Sequence, residues 1–281
     1  MGVRSHLLRG VVAGLVVGLL VGILAFLVAE PVIDRAITLE SQRVEAEYHT
    51  ALNQAIIEHH GDVAAARQQV AEPPPEVFSR RTQHLGLIVA TTLFGFGLGG
   101  IFAVVYLVIF RRTSSGTTWR RSLSLAGALL TAIYVIPFIR YPANPPGVGD
   151  PATIDRRTLG YTLAIAIGAL AVWGAWRLAR YLHARGVGEP VRHTVVAGCI
   201  ALAIALEFVL LPDNIDAVRV PPDLLWDFRL RAVAAQVLLW GGVGGLFAVL
   251  TERAARRAAA SARMGNGRES PLGGAVPSSP G

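Results

Sequence analysis

Glu45 and His49 stand four residues apart, and so do Glu58 and Asp62, with His59 and His60 between them. On a helix such pairs share a face, because residues i and i+4 lie one turn apart. Carboxylate plus imidazole is a donor set for borderline divalent ions such as Co²⁺, Ni²⁺ or Zn²⁺. The same residue types are also ordinary on a solvated helix, and no HExxH motif accompanies them. A second chemical signal is Glu207, the one acid well inside the apolar stretch 195–211. A carboxylate in hydrocarbon costs several kcal/mol unless it is paired or protonated, so an intramembrane acid is a functional candidate by default. Glu207 lies about one turn, roughly 6 Å, from the end of that stretch. Pairing with an interfacial arginine such as Arg140 is therefore the competing expectation. Asp213 and Asp216 follow just beyond it, where an approaching cation would meet them first.

The elements that must position these groups are membrane helices. The chain has 281 residues and is 53% hydrophobic, with 16% charged residues against about 25% in a soluble domain. A hydrocarbon core ~30 Å thick needs about 20 apolar residues per helix. Six segments meet that test, at 7–29, 85–110, 122–139, 158–178, 195–211 and 232–251. They are too long for barrel strands and do not alternate apolar with polar. The expected fold class is an all-α integral membrane protein, a six-helix bundle with a helical external loop at 30–84. The first apolar stretch exceeds a signal-peptide core in length, and a retained helix is expected there.

Charge sets the expected orientation. All 26 basic residues are arginine. The loop 111–121 has four arginines and no acid, and 179–194 has three arginines against Glu189. By contrast, 30–84 has five arginines and nine acids, and 212–231 has three arginines and four aspartates. Basic segments mark the cytoplasmic side, which predicts a multi-pass cell-membrane protein with both termini cytoplasmic. The net charge of +7 is then mainly a topology signal. A nucleic-acid partner would need a basic face on a soluble module, and none is visible; the lipid bilayer is the expected surrounding.

In the first span Gly10, Gly14, Gly18 and Gly22 fall on one stripe, the pattern that lets two membrane helices touch backbone to backbone. "GFGLGG" at 95–100 and "GGVGG" at 241–245 read as further close contacts. Residues 38–71 are rich in Ala, Glu and Gln and predict a helix, with "EPPPE" at 72–76 ending it. In the connector "RYPANPPGVGDPATIDRRTLGY", 140–161, prolines fix the backbone and Gly147 and Gly149 permit turns. Thr153 or Asp155 is placed to cap the next helix. The expected result is a stiff external cap across the bundle mouth. Residues 253–281 are small, polar and rich in Pro and Gly, which predicts a disordered cytoplasmic tail.

"AEPVIDRAITLE" at 29–40, "SRRTQHLGLIVATTLFGFGLGGIFAVVY" at 79–106, "YPANPPGVGDPATIDRRTLGY" at 141–161 and "VPPDLLWDFRLRAVAAQVLLWGGVGGLFAVL" at 220–250 together resemble the predicted cobalt transporter subunit family CbtA, in its actinobacterial form. The resemblance spans roughly residues 8–252. It implies a membrane subunit of a divalent metal uptake system, with cobalt as cargo and no resident cofactor. It brings His84, at the head of the second span, into the candidate metal set with Glu45, His49, Glu207, Asp213 and Asp216. It also implies a partner, a small single-span membrane subunit with a histidine-rich segment. One departure is that Arg219 and Val220 stand where an acid is expected before the proline of the closing motif; this counts against that loop as a ligand set.

Other classes are narrowed by absences. Without lysine the chain has no P-loop GKS or GKT sequence. Cys199 is the only cysteine, which rules out an internal disulfide or a thiolate cluster. No nucleophile–base pair points to an intramembrane enzyme, and the expectation is a non-enzyme. A non-transporting scaffold or regulatory subunit of another membrane complex is the alternative that the glycine stripe and cap fit equally well.

Overall fold

Four glycines at four-residue intervals leave one side of a helix without side chains, and the structure uses that side first. In this computed structural model, which describes residues 2–73, 77–111, 116–214 and 216–268, helix α1 (Val3–Val28) lies directly against α4 (Arg80–Phe110). A Cβ built on Gly14 would collide with the backbone of Gly95, and one on Gly10 with the backbone of Gly99. The reverse also holds: Gly95 and Gly99 abut the Gly14 and Gly10 carbonyls. The glycine stripe of the first span and the run at 95–100 are therefore halves of one interface. In lipid, where apolar burial does not drive association, this van der Waals closeness is what holds helices together.

Between these two spans lie α2 (Glu30–Glu58) and the short α3 (Val63–Gln69). The helix expected to reach the "EPPPE" run stops at Glu58 instead, and residues 74–76 of that run lie outside the described residues. The reason is local. His60 adopts φ 52° and Gly61 φ 93°, the left-handed geometry that closes a helix C-terminus. The Gly61 N–H donates to the Ile56 carbonyl at 2.8 Å, and the His60 N–H to that of Ile57 at 3.2 Å. Asp62 then starts α3 by accepting from the Ala64 and Ala65 N–H groups.

The third span is α5 (Thr118–Leu130), a π-helical turn at Thr131–Val135, and α6 (Ile136–Arg140). Pro137 explains the widened turn. It has no N–H, and its ring presses on the carbonyl one turn back, so the helix admits an extra residue. The turn meets α7 (Ile154–Ala184), where Gly168 leaves room for the Ala132 carbonyl. Next, α8 (Glu189–Leu210) packs against α6, and α9 (Pro222–Arg268) closes the fold.

Two groups of helices result. One joins α1, α4, α5 and α9 around Phe102, Tyr106, Trp240 and Phe247. Within it, Ser122 donates to the Gly244 carbonyl at 2.6 Å, and Gly242 faces Val17. The other joins α7 and α8 to the π turn and α6. The third span belongs to both groups, its first half on α9 and its second on α7 and α8. No strand occurs among the described residues, and six helices are long and apolar enough to cross a membrane. α9 continues to Arg268, beyond the boundary at 252 where the tail was expected to begin; residues 269–281 lie outside the described residues.

Candidate functional site

Six successive crossings put one set of helix ends on a common side: the ends of α1, α6 and α8 and the starts of α4, α7 and α9. Every candidate acid and imidazole lies on that side. The tightest cluster forms where α1 gives way to α2 beside the start of α4. Glu30 opens α2 and Asp34 follows one turn later. Ser79 caps α4, accepting from the Thr82 N–H at 3.4 Å, and this places Arg80 in the first turn and His84 in the next. The α1–α4 glycine contact then fixes the two ends against each other.

In that cluster Arg80 Nη2 donates to Glu30 Oε2 at 2.7 Å and also hydrogen-bonds Asp34. His84 Nε2 lies 3.3 Å from the same Glu30 oxygen. The imidazole is held edge-on to Phe26, with ring centroids 5.3 Å apart. Glu30 is 6% exposed, so its carboxylate relies on these partners and not on bulk water. One ligand atom from each of Glu30, Asp34 and His84 can be chosen so that all lie within 4.8 Å of one another. His84 Nε2 and Glu30 Oε2, 3.3 Å apart, already have the spacing of two ligands on one ion. Zinc-like ions hold such nitrogen and oxygen donors at about 2.0–2.2 Å, which places neighbouring ligands ~3–3.6 Å apart, so the widest pair of the cluster has to close by about 1 Å. Arg80 supplies the positive charge that a bound cation would otherwise provide.

Glu207 is fully buried, and neither carboxylate oxygen has a hydrogen-bond partner. It lies in α8, the helix that packs against α6. Arg140, at the end of α6, acts electrostatically on it but spends its hydrogen bonds elsewhere. Its Nη2 donates to the Leu211 carbonyl at 3.0 Å and to Asp213 Oδ1 at 2.7 Å. The guanidinium also sits over the Phe208 and Tyr141 rings, at 5.0 and 5.2 Å.

The remaining candidates are placed apart from these. Asp213 is exposed and paired with Arg140. The Asp216 side chain is almost buried, with Thr153 Oγ1 2.9 Å from both its oxygens. Arg157 Nε lies 3.2 Å from Asp216 Oδ2 but is not aimed at it, so that contact is Coulombic. Glu45 and His49 do share a face of α2, 3.9 Å apart, yet both are largely exposed and no third ligand joins them among the described residues. His59 is hydrogen-bonded to Gln69 at 2.6 Å, which ties α2 to α3.

The 140–161 connector is pinned from three helices. Arg43 of α2 donates to the Gly147 carbonyl at 3.4 Å. Arg229 of α9 donates to the Ala143 carbonyl at 3.2 Å and to Asn144 Oδ1 at 3.0 Å. Arg157 of α7 donates to the Asp150 carbonyl at 3.2 Å. Gly147 and Gly149 take φ of 76° and 113°, as their turns require. Thr153 stands at the N-cap position of α7 but makes no side-chain capping bond there; Asp150 caps the 3₁₀ turn Pro151–Thr153 that leads into α7, accepting from the Ala152 N–H at 2.8 Å.

Glu30, Asp34 and Arg80 were not singled out by sequence reasoning. Two i, i+4 pairs at span ends, Glu30 with Asp34 and Arg80 with His84, were the available signal.

Fold and site define the class: a multi-pass helical membrane protein that gathers carboxylates and imidazole at one end of its bundle. The chain belongs to the CbtA family, described as a probable cobalt transporter subunit, which it matches over residues 3–252. No curated protein and no solved structure matches it significantly.

Proposed function

We propose that this chain is the membrane-spanning subunit of a cobalt uptake system, and that Glu30, Asp34 and His84 form its first coordination site. The observation that carries this is the convergence of two carboxylates and one imidazole within 4.8 Å at a helix-bundle mouth. That donor set suits borderline divalent ions. Arg80 is a tethered counterion. It holds the site together when empty and swings out when a divalent ion takes its place. Glu207 is an inner carboxylate station, positioned by the packing of α8 on α6. Since the chain has no P-loop lysine, transport is driven by an ion gradient, by a separate ATPase, or by simple facilitated flow. The word subunit in the family description supports a partner, here a small single-span histidine-rich membrane protein. The arginine bias supports cytoplasmic termini in the cell membrane, which puts the cluster outside.

The scaffold reading draws on one specific observation: Glu30 and Asp34 both already have a protein partner in Arg80, as a static strut would. Uptake of radioactive cobalt separates the two readings, measured in cells with the chain alone and with its partner. Uptake that depends on the chain and falls with Glu30→Gln or His84→Ala at equal folded protein supports transport. Unchanged uptake per folded molecule supports the scaffold.

A further inference from the structure

The opposite end of the bundle holds a second feature unconnected with the acidic cluster. Because α4 and α7 do not pack extensively on each other, a groove of about 1340 Å³ opens between them, floored by α5. That exceeds the roughly 300–1,000 Å³ of ordinary small-molecule clefts. Its walls are apolar along their length, and one end is ringed by Arg111, Arg120, Arg121 and Arg180, with no acid in the lining among the described residues. Arg180 sits over the Trp176 ring at 4.9 Å and Arg121 over Phe110 at 6.0 Å, so two of the guanidiniums are held at the mouth by aromatic faces.

We infer that this groove binds an anionic phospholipid, its phosphate on the arginines and an acyl chain along the α4–α5–α7 wall. The dimensions favour a lipid over a partner's helix. On the third span the lining runs from Arg120 to Ile133, and on α7 from Ala169 to Arg180, about 17–20 Å at 1.5 Å per residue. One leaflet is about 15 Å of a ~30 Å core, and a spanning helix would need the full core thickness. The charge favours an anionic head group. Guanidinium groups bind phosphate in paired hydrogen bonds, and basic pockets between membrane helices recruit anionic lipids.

The test is native mass spectrometry of the purified full-length chain titrated with phosphatidylglycerol or with phosphatidylcholine of the same acyl chains. Phosphatidylglycerol should be retained preferentially. Arg111→Gln with Arg120→Gln should weaken its retention by about fivefold for each arginine, roughly twenty-five-fold together; the corresponding lysine pair should keep most of it. Val108→Trp, which narrows the groove from an exposed position, should weaken retention with all four arginines intact. Melting temperatures of the variants serve as folding controls, since Arg111, Arg120 and Val108 are exposed. Equal retention of the two lipids, or an unchanged preference in the glutamine pair, overturns the proposal. So does displacement of the lipid by inorganic phosphate at equal concentration, which would mark a site for the free anion.

Discussion

Arg80→Gln separates a counterion that competes with metal from one that merely braces the helix ends. Arg80 donates to Glu30 at 2.7 Å and hydrogen-bonds Asp34, while Glu30 is almost fully buried. Hydrogen bonds to charged groups contribute about 1.5–3 kcal/mol each. Removing the guanidinium leaves a buried carboxylate without its cation, a loss of about 3–5 kcal/mol when pairs of this kind are broken. The metal-free variant should therefore melt well below the wild type. A divalent ion no longer has to displace an arginine, so its binding should tighten by tenfold or more, since each ~1.4 kcal/mol of removed competition is a factor of ten. Cobalt at a hundred times its dissociation constant should then restore about 2.7 kcal/mol. The assay is thermal melting of the purified protein with and without cobalt, alongside calorimetric titration. Weaker cobalt binding in Arg80→Gln, or destabilisation that cobalt does not reverse, would refute the tethered-counterion account.

Other consequences are equally direct. Gly14→Leu should cost ~3 kcal/mol or more of packing and lower the yield of folded protein, because its side chain meets the Gly95 backbone; Val16→Leu, on an exposed face, should be silent by size-exclusion profile. Glu207→Gln removes a buried carboxylate that has no hydrogen-bond partner; it should leave folding intact or improve it, and reduce cobalt uptake per folded molecule severalfold. Unchanged uptake per molecule would exclude Glu207 from the path. With Cys199 replaced by serine, cysteines introduced at Asn53 and Ala143 should react with an impermeant maleimide in intact cells, and one at Val187 should not; labelling at Val187 would reverse the assigned orientation.

The sequence discloses those features that depend on neighbours along the chain. Six apolar runs reveal six spans because length and hydropathy are local properties, and the glycine register reveals a packing face for the same reason. The Glu30–Arg80 pair was hidden because its partners are 50 residues apart and meet only through the α1–α4 contact. Asp213 and Asp216 looked like waiting ligands, but the folded connector brings Arg140 and Arg157 to them. Residues 59–61 end α2 earlier than the prolines would, and Gly61 carried that signal in plain view. The π turn before Pro137 was not foreseen, since a proline alone does not say whether a helix kinks or widens.

The central claim is that cobalt binds Glu30, Asp34 and His84. X-ray absorption spectroscopy of the cobalt-loaded chain addresses it directly. The account predicts a mixed oxygen and nitrogen shell with one imidazole, whose scattering disappears in His84→Ala. A shell without imidazole, or one that His84→Ala leaves unchanged, would contradict it.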